Sequence, residues 1–208
     1  MSSHKRVAIL ISGRGSNMAA LIKSAQQENF PAKIVAVISN KSDAAGLEIA
    51  KEHGIATHIV RKADYDTKEE YDKALDYILT EAQTDFICLA GFMRLLSGWF
   101  CDKWDQKLIN IHPSLLPSFK GLDTHQRALD AGVKFSGCTV HYVTAGMDEG
   151  PIIAQAAVPV YKEDNADILA ERIIKCEHRL YSDVLYNLCS DQEKDASFFA
   201  EEGLGDNK

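Results

Sequence analysis

Asn110 and His112 are the residues of this 208-residue chain whose types and spacing most directly suggest chemistry. They lie in the apolar segment 108–117, where Pro113 and Pro117 exclude a regular helix and predict a short buried strand. Residues two positions apart on a strand share a face, so both side chains can contact one atom. An amide N–H beside an imidazole suits a carbonyl oxygen that becomes negative during a reaction. The alternative is that Asn110 caps the next turn and His112 is a half-buried, hydrogen-bonded histidine.

A turn with two glycines, residues 12–17, follows an apolar strand predicted over 6–12 and precedes a helix for which we expect Ser16 or Asn17 as N-cap. Free backbone N–H groups and the positive end of the helix dipole meet at such a turn and favour an anion. The Walker A lysine is absent, and Met18 occupies the third glycine position of the dinucleotide fingerprint. A single phosphate remains as the predicted ligand. An equal alternative is that the turn is only a tight connection between strand and helix and binds no ligand.

The elements that must position these residues alternate between strand and helix. Apolar runs predict strands over 6–12, 33–39, 56–60 and 86–90, and helical spacing predicts helices over 44–53 and 67–82. This alternation predicts an α/β fold with a doubly wound, mostly parallel sheet. Ligands of such sheets bind outside the carboxyl ends of the strands, so one crevice should be lined by residues 13–17, 91–96 and 110–113.

The second half of the chain predicts a helix over 121–131, paired strands over 135–143 and 152–160, and a long helix over 166–188. Between the two strands lies an acidic, glycine-bearing turn, residues 144–151. Asp148 in this turn would matter chemically only if it faced His112, where a carboxylate would orient the ring and favour its protonated form. The segment 91–96 is apolar around Arg94 and forms either a wall for a flat ring or packing under the next helix.

Composition restricts the class of protein. The net charge of -7 and the pI of about 5.5 disfavour a nucleic-acid or anionic-membrane surface. Five cysteines without a C-x-x-C pair predict reduced thiols, and Cys176 with His178 does not resemble a zinc half-site, so no metal is implied. The apolar run near the N-terminus is too short for a signal peptide or a membrane span, and we expect a cytoplasmic protein. One domain is expected over 6–188, followed by an acidic tail, 189–208.

With these segments in place, the sequence resembles the phosphoribosylglycinamide formyltransferases, the folate-dependent enzymes of purine synthesis, over about residues 6–188. The resemblance rests on four motifs that occur in order at suitable separations: residues 11–17, 90–96, 110–117 and 137–151. It implies a single-domain, Rossmann-like formyltransferase fold. It also implies transfer of the formyl group of 10-formyltetrahydrofolate to the amine of 5-phosphoribosylglycinamide, with no metal and no nucleic-acid or membrane partner, by a monomer or homodimer.

The resemblance further implies roles for individual residues. The phosphate would be held by Gly15, Ser16 and Asn17, and the ribose hydroxyls or the glycinamide end would meet Glu177. The folate would contact Lys68, Met93, Arg94, Leu95, Leu96, Asn110 and the backbone from Thr144 to Asp148. The family's catalytic set corresponds to Asn110, His112 and Asp148.

In the chemistry so implied, the amine attacks the formyl carbon, Asn110 and a protonated His112 stabilise the oxyanion, and Asp148 stabilises the imidazolium. The amine's surplus proton passes to the departing folate nitrogen without a covalent enzyme intermediate. One alternative is a hydrolase that releases formate from the same folate, against which the phosphate turn argues. The other is a folate- or nucleotide-binding module without catalysis, which the competent side chains at all three catalytic positions disfavour.

Related folate enzymes that act on methionyl-tRNA, or that hydrolyse the formyl folate, carry an additional domain. We do not expect such a domain in a chain of this length. The acidic charge balance further disfavours tRNA as a partner.

Overall fold

A single seven-stranded sheet forms the centre of the computed structural model, which describes residues 4–190. Its strands are β1 (Lys5–Ile11), β2 (Ala32–Ser39), β3 (Ala56–Ile59), β4 (Phe86–Leu89), β5 (Leu108–His112), β6 (Phe135–Tyr142) and β7 (Ile152–Pro159). Their spatial order is β3-β2-β1-β4-β5-β6-β7. The first five are parallel, whereas β6 is antiparallel to β5 and β7 to β6. The predicted doubly wound, mostly parallel α/β fold is confirmed.

Helices cover both faces of this sheet. They are α1 (Ser16–Ala25), α2 (Gly46–Glu52), α3 (Lys68–Glu81), α4 (Gly98–Lys103), α5 (Thr124–Asp130) and α6 (Ala166–Cys189), with a 3₁₀ turn at Lys62–Asp64. The N-terminus of α3 has a capping box, in which Thr67 and Glu70 bond each other's backbone N–H. None of the helices within residues 4–190 is long and apolar enough to cross a membrane.

Side-chain alternation along β1 explains why its sequence is apolar throughout. Val7, Ile9 and Ile11 enter one core, which contains residues of α1 and α6. Ala8 and Leu10 enter a second core, which contains residues of α3 and α4. A strand with helices on both faces has no solvated side, so a continuous hydrophobic run is its natural pattern.

Several predicted boundaries differ from the structure. The helix predicted over 44–53 is shorter and spans Gly46–Glu52. The helix predicted over 121–131 begins at Thr124, because Gly121 and Asp123 have positive φ angles and cannot belong to a right-handed helix. The last helix extends to the buried Cys189, one residue beyond the predicted domain boundary at Leu188. Residues 191–208 of the predicted tail lie outside the described residues.

Tyr181 joins α6 to the centre of the sheet. Its side chain is fully buried, and its hydroxyl lies 3.1 Å from the carbonyl oxygens of Leu89 and Ile109. Leu89 ends β4, the strand before the apolar loop, and Ile109 precedes Asn110 within β5. The hydroxyl therefore ties the longest helix to the strands that lead into the predicted crevice.

We predict that Tyr181→Phe lowers the free energy of unfolding by about 1 kcal/mol, because the substitution removes the buried hydrogen bond and keeps the ring. Urea unfolding followed by circular dichroism measures the change. Tyr77→Phe is the matched control, since the Tyr77 side chain is exposed on α3. Equal stability of wild type and Tyr181→Phe would contradict this role of the hydroxyl.

Candidate active site

The Ser12 hydroxyl joins two of the segments predicted to line the crevice. Its oxygen accepts a hydrogen bond from the Met93 backbone N–H at 2.8 Å and donates one to the Asn40 side-chain oxygen at 2.6 Å. Ser12 follows β1, Asn40 follows β2 and Met93 follows β4. The glycine turn and the apolar loop therefore meet at the carboxyl ends of the parallel strands.

His112 lies at the end of β5 with both ring nitrogens close to oxygen atoms. Nδ1 is 3.4 Å from Asp148 Oδ2, and Nε2 is 3.0 Å from the Phe119 carbonyl oxygen. A carbonyl oxygen can only accept, so Nε2 carries a hydrogen. His112 is 5% exposed, so it is more buried than the half-buried histidine of the alternative interpretation.

Asp148 faces His112, which is the condition on which its predicted chemical role depends. The same Oδ2 that faces His112 accepts a 2.8 Å hydrogen bond from the Gly121 backbone N–H. Asp148 has a φ of 49°, a left-handed conformation that aspartate tolerates better than most residues. The loop after β6 therefore delivers a carboxylate to the imidazole and holds it there through a backbone donor.

Asn110 does not cap the following turn, and that alternative interpretation is wrong. Its Nδ2 lies 3.1 Å from Nε2 of His141 on β6. The antiparallel register pairs Asn110 with His141 and His112 with Thr139, so all four side chains lie on one face of the sheet. His141 was not among the predicted site residues. Its position on the same face as Thr139 in an alternating strand was a usable signal, but only the register brings it to Asn110.

The N-cap in the predicted anion-binding turn, residues 12–17, differs from the prediction. The N-cap of α1 is Gly15, with a φ of 74° and no side-chain hydrogen bond, and the helix begins at Ser16. The prediction of Ser16 or Asn17 as N-cap was therefore wrong. The Asn17 amide instead donates to Glu177 Oε2 at 2.7 Å. The backbone N–H groups of the first helical turn have no partner within the helix and can bind an anion.

Glu177 is a buried carboxylate of α6, 5% exposed, beside this turn. Burial raises the pKa of its carboxyl, and the hydrogen bond from Asn17 lowers that pKa in part. The structure thus brings Glu177 to the predicted phosphate turn from a helix 160 residues further along the chain. A hydrogen-bond acceptor stands next to a potential anion site.

The loop after β4 divides its side chains between the core and the surface. Met93 and Leu95 are 64% and 53% exposed, whereas Leu96 is buried with residues of α3 and α4. The Arg94 guanidinium lies 5.0 Å from the centre of the Tyr71 ring on α3. The packing interpretation holds for Leu96. The wall for a flat ring stays a prediction for Met93 and Leu95.

Lys68 and Thr144 lie at the borders of this region. Lys68 begins α3 and shares a helix face with Asp72, whose Oδ2 accepts from the Ser97 backbone N–H at 2.7 Å. Thr144 lies two residues after the end of β6, in the loop that carries Asp148.

Among residues 4–190, no group of three or more acidic, histidine or cysteine side chains could hold a metal ion.

A doubly wound, mostly parallel sheet with a histidine–carboxylate pair at the carboxyl end of one of its strands is typical of α/β enzymes that bind small molecules at this edge of the sheet. The formyl transferase family matches residues 5–185. The chain therefore belongs to this family, and the resemblance predicted from its four motifs is confirmed.

Proteins of known name agree with this assignment. Phosphoribosylglycinamide formyltransferase of Escherichia coli is 43% identical over 84% of this chain and 82% of its own length. The crystal structure of phosphoribosylglycinamide formyltransferase from Brucella melitensis has a TM-score of 0.87 and 53% identity, and the match covers 93% of this chain and all of that one. The trifunctional purine biosynthetic protein adenosine-3 of Bos taurus is 50% identical over 89% of this chain. The chain spans about a fifth, 18%, of that trifunctional protein.

We predict that Gly15→Ala lowers the free energy of unfolding by about 1–2 kcal/mol, because alanine is strained at a φ of 74°. Its added Cβ would also lie 3.0 Å from the Gly46 Cα and the Met18 methyl carbon. Urea unfolding provides the measurement. The control is Gly13→Ala in the same turn, where no atom lies within 4 Å of the added Cβ. Equal stabilities for both variants would exclude this conformational requirement.

Proposed function

We propose that this protein transfers the formyl group of 10-formyltetrahydrofolate to the amine of 5-phosphoribosylglycinamide, in the synthesis of purines. The observation that carries the proposal is that His112 lies at the end of β5 with Asp148 Oδ2 3.4 Å from its Nδ1 and with Asn110 on the same face of the strand. Similarity to phosphoribosylglycinamide formyltransferases over most of their length supports the same activity.

The acceptor substrate binds at the N-terminus of α1. Backbone N–H groups of Gly15, Ser16 and Asn17 hold its phosphate, an arrangement that needs no lysine because the helix dipole contributes positive potential. Glu177, fixed by the Asn17 amide, accepts hydrogen bonds from the ribose hydroxyls or the glycinamide end. This end of the crevice selects a phosphorylated acceptor.

The folate binds along the loop after β4. The exposed side chains of Met93 and Leu95 offer an apolar surface for a flat ring, while the buried Leu96 and the stacked Arg94 anchor the loop to α3. Asn110 and the backbone from Thr144 to Asp148 supply polar contacts. Lys68, on the first turn of α3, supplies a positive charge for the folate's carboxylates.

The chain's own residues stabilise the charge that develops when the acceptor's amine attacks the formyl carbon. The Asn110 amide and His112 Nε2–H donate to the formyl oxygen as it becomes negative, and the Phe119 carbonyl gives up its place on Nε2 to that oxygen. Asp148 remains on Nδ1 and stabilises the imidazolium. The Gly121 N–H keeps the carboxylate in position throughout.

We further propose a cytoplasmic enzyme, monomeric or homodimeric, that acts on small molecules without nucleic acid. The net charge of -7 supports this proposal, because a polyanion would be repelled. The five cysteines, all free thiols, are compatible with a reducing compartment.

The direct test is the absorbance of the deformylated folate after mixing the protein with 10-formyltetrahydrofolate, with and without the ribonucleotide. We expect product only when the ribonucleotide is present. Product without the ribonucleotide would replace the transferase by a hydrolase. Binding of folate without product in either mixture would leave a binding module.

We predict that Asp148→Asn lowers kcat by a factor on the order of 100, because a neutral amide cannot stabilise the imidazolium. Folate and ribonucleotide affinities, measured by calorimetry, should stay within about threefold, since the side chain keeps its size and its acceptor for Gly121. Glu149→Gln is the matched control, because Glu149 is an exposed acid of the same loop that pairs with Lys120. Wild-type turnover in Asp148→Asn would remove Asp148 from the mechanism.

A further inference from the structure

His141 is a buried histidine of β6 for which the proposed reaction has no role. It is 2% exposed, and each of its ring nitrogens faces a different group. Nδ1 lies 2.8 Å from the Tyr142 carbonyl oxygen, and Nε2 lies 3.1 Å from the Asn110 side-chain nitrogen. The ring therefore connects the main chain of β6 to the amide that stands in the crevice.

These contacts determine where the ring carries its hydrogen. The Tyr142 carbonyl can only accept, so the hydrogen is on Nδ1. Burial lowers the pKa of His141, and the hydrogen bond to the Tyr142 carbonyl and the Asp148 charge raise that pKa in part. A neutral ring with its hydrogen on Nδ1 presents a lone pair at Nε2. Asp148 Oδ1 is 3.8 Å from Nε2, beyond hydrogen-bond distance. The partner of the lone pair is the Asn110 N–H.

An asparagine side chain can rotate by half a turn and exchange its oxygen with its nitrogen. Rotation of Asn110 would place its oxygen against the Nε2 lone pair, which is repulsive and leaves the buried Nε2 without a donor. With the observed orientation, one hydrogen of the NH₂ group is held by His141 and the second remains for another acceptor. Only this orientation offers an N–H to an oxyanion beside His112.

We propose that His141 is a positioning residue that holds the Asn110 amide with its N–H directed toward the reacting carbonyl oxygen. The inference rests on the proposed formyl transfer and adds to it a residue that does not touch the substrates. It accounts for a histidine at the position of β6 that the register places opposite Asn110.

The test compares two substitutions in the full chain. His141→Leu fills the site without an acceptor, and we expect kcat to fall by about 10-fold or more, since an oxyanion donor loses its orientation. KM for the ribonucleotide should change by less than about twofold, because its proposed contacts at the start of α1 and at Glu177 do not involve Asn110. His141→Gln can return an acceptor oxygen near the Nε2 position, and we expect it to recover at least about half of the lost kcat on a logarithmic scale.

A double-mutant cycle separates positioning from a structural role. In an Asn110→Ala background the amide is absent, and His141→Leu should then lower kcat by less than about twofold. His58→Leu, a strand histidine at the far edge of the sheet on β3, is the control and should keep wild-type kcat. Thermal unfolding of every variant reports loss of fold.

The outcomes distinguish the two proposals. A wild-type chain without ribonucleotide-dependent turnover overturns the proposed function. Wild-type turnover together with an unaffected His141→Leu overturns the positioning role alone. The positioning role is also overturned if His141→Leu lowers kcat equally with and without the Asn110 side chain. It is overturned as well if kcat of His141→Gln is no higher than kcat of a folded His141→Leu.

Discussion

The antiparallel pairing of β5 with β6 is the constraint on which the catalytic side of the site depends. In the parallel part of the sheet, functional groups come from the loops that follow the strands. In the antiparallel pair, directly opposed side chains meet on one face, and the register sets Asn110 against His141 and His112 against Thr139. A slip of one residue would turn Asn110 and His112 into the apolar core. The four apolar neighbours that alternate with these polar residues, Ile109, Ile111, Val140 and Cys138, hold the register by their burial.

Each of the two carboxylates, Asp148 and Glu177, accepts a hydrogen bond from a neutral donor that keeps it in place. Asp148 accepts from the Gly121 backbone, and Glu177 accepts from the Asn17 amide. A carboxylate removed from water without such a donor would be costly, and its side chain would turn outward or bind a proton. These donors let the two carboxylates remain beside the crevice, so partial burial and function are compatible.

The sequence was informative where one segment decides its own structure, and less so where two distant segments must meet. Apolar runs predicted the parallel strands, and alternation predicted β6 with β7 as its partner, because buried strand faces require apolar side chains. The start of α1 was misassigned because Gly15 satisfies the turn through its backbone conformation, which competes with side-chain capping. His141 was missed because its role exists only in the β5–β6 register. The placement of Asp148 against His112 could be stated only as a condition, since 36 residues separate them and the loop conformation is set by Gly121 and the left-handed Asp148 itself.

The two halves of the site are built on different elements, so their separation must be set by something that joins those elements. Glu177 belongs to α6 and Asn110 to β5, and the two lie on either side of Tyr181 and Ile109. Tyr181 is one helical turn after Glu177 on the same face of α6, and its hydroxyl bonds to the carbonyl of Ile109, the residue before Asn110. A rotation or slide of α6 that moved Glu177 relative to Asn110 would have to break this bond inside a close-packed core. The buried hydroxyl thus helps to fix the distance between Glu177 and Asn110, which is the distance that a direct transfer between two bound substrates would require if these residues have the roles proposed for them.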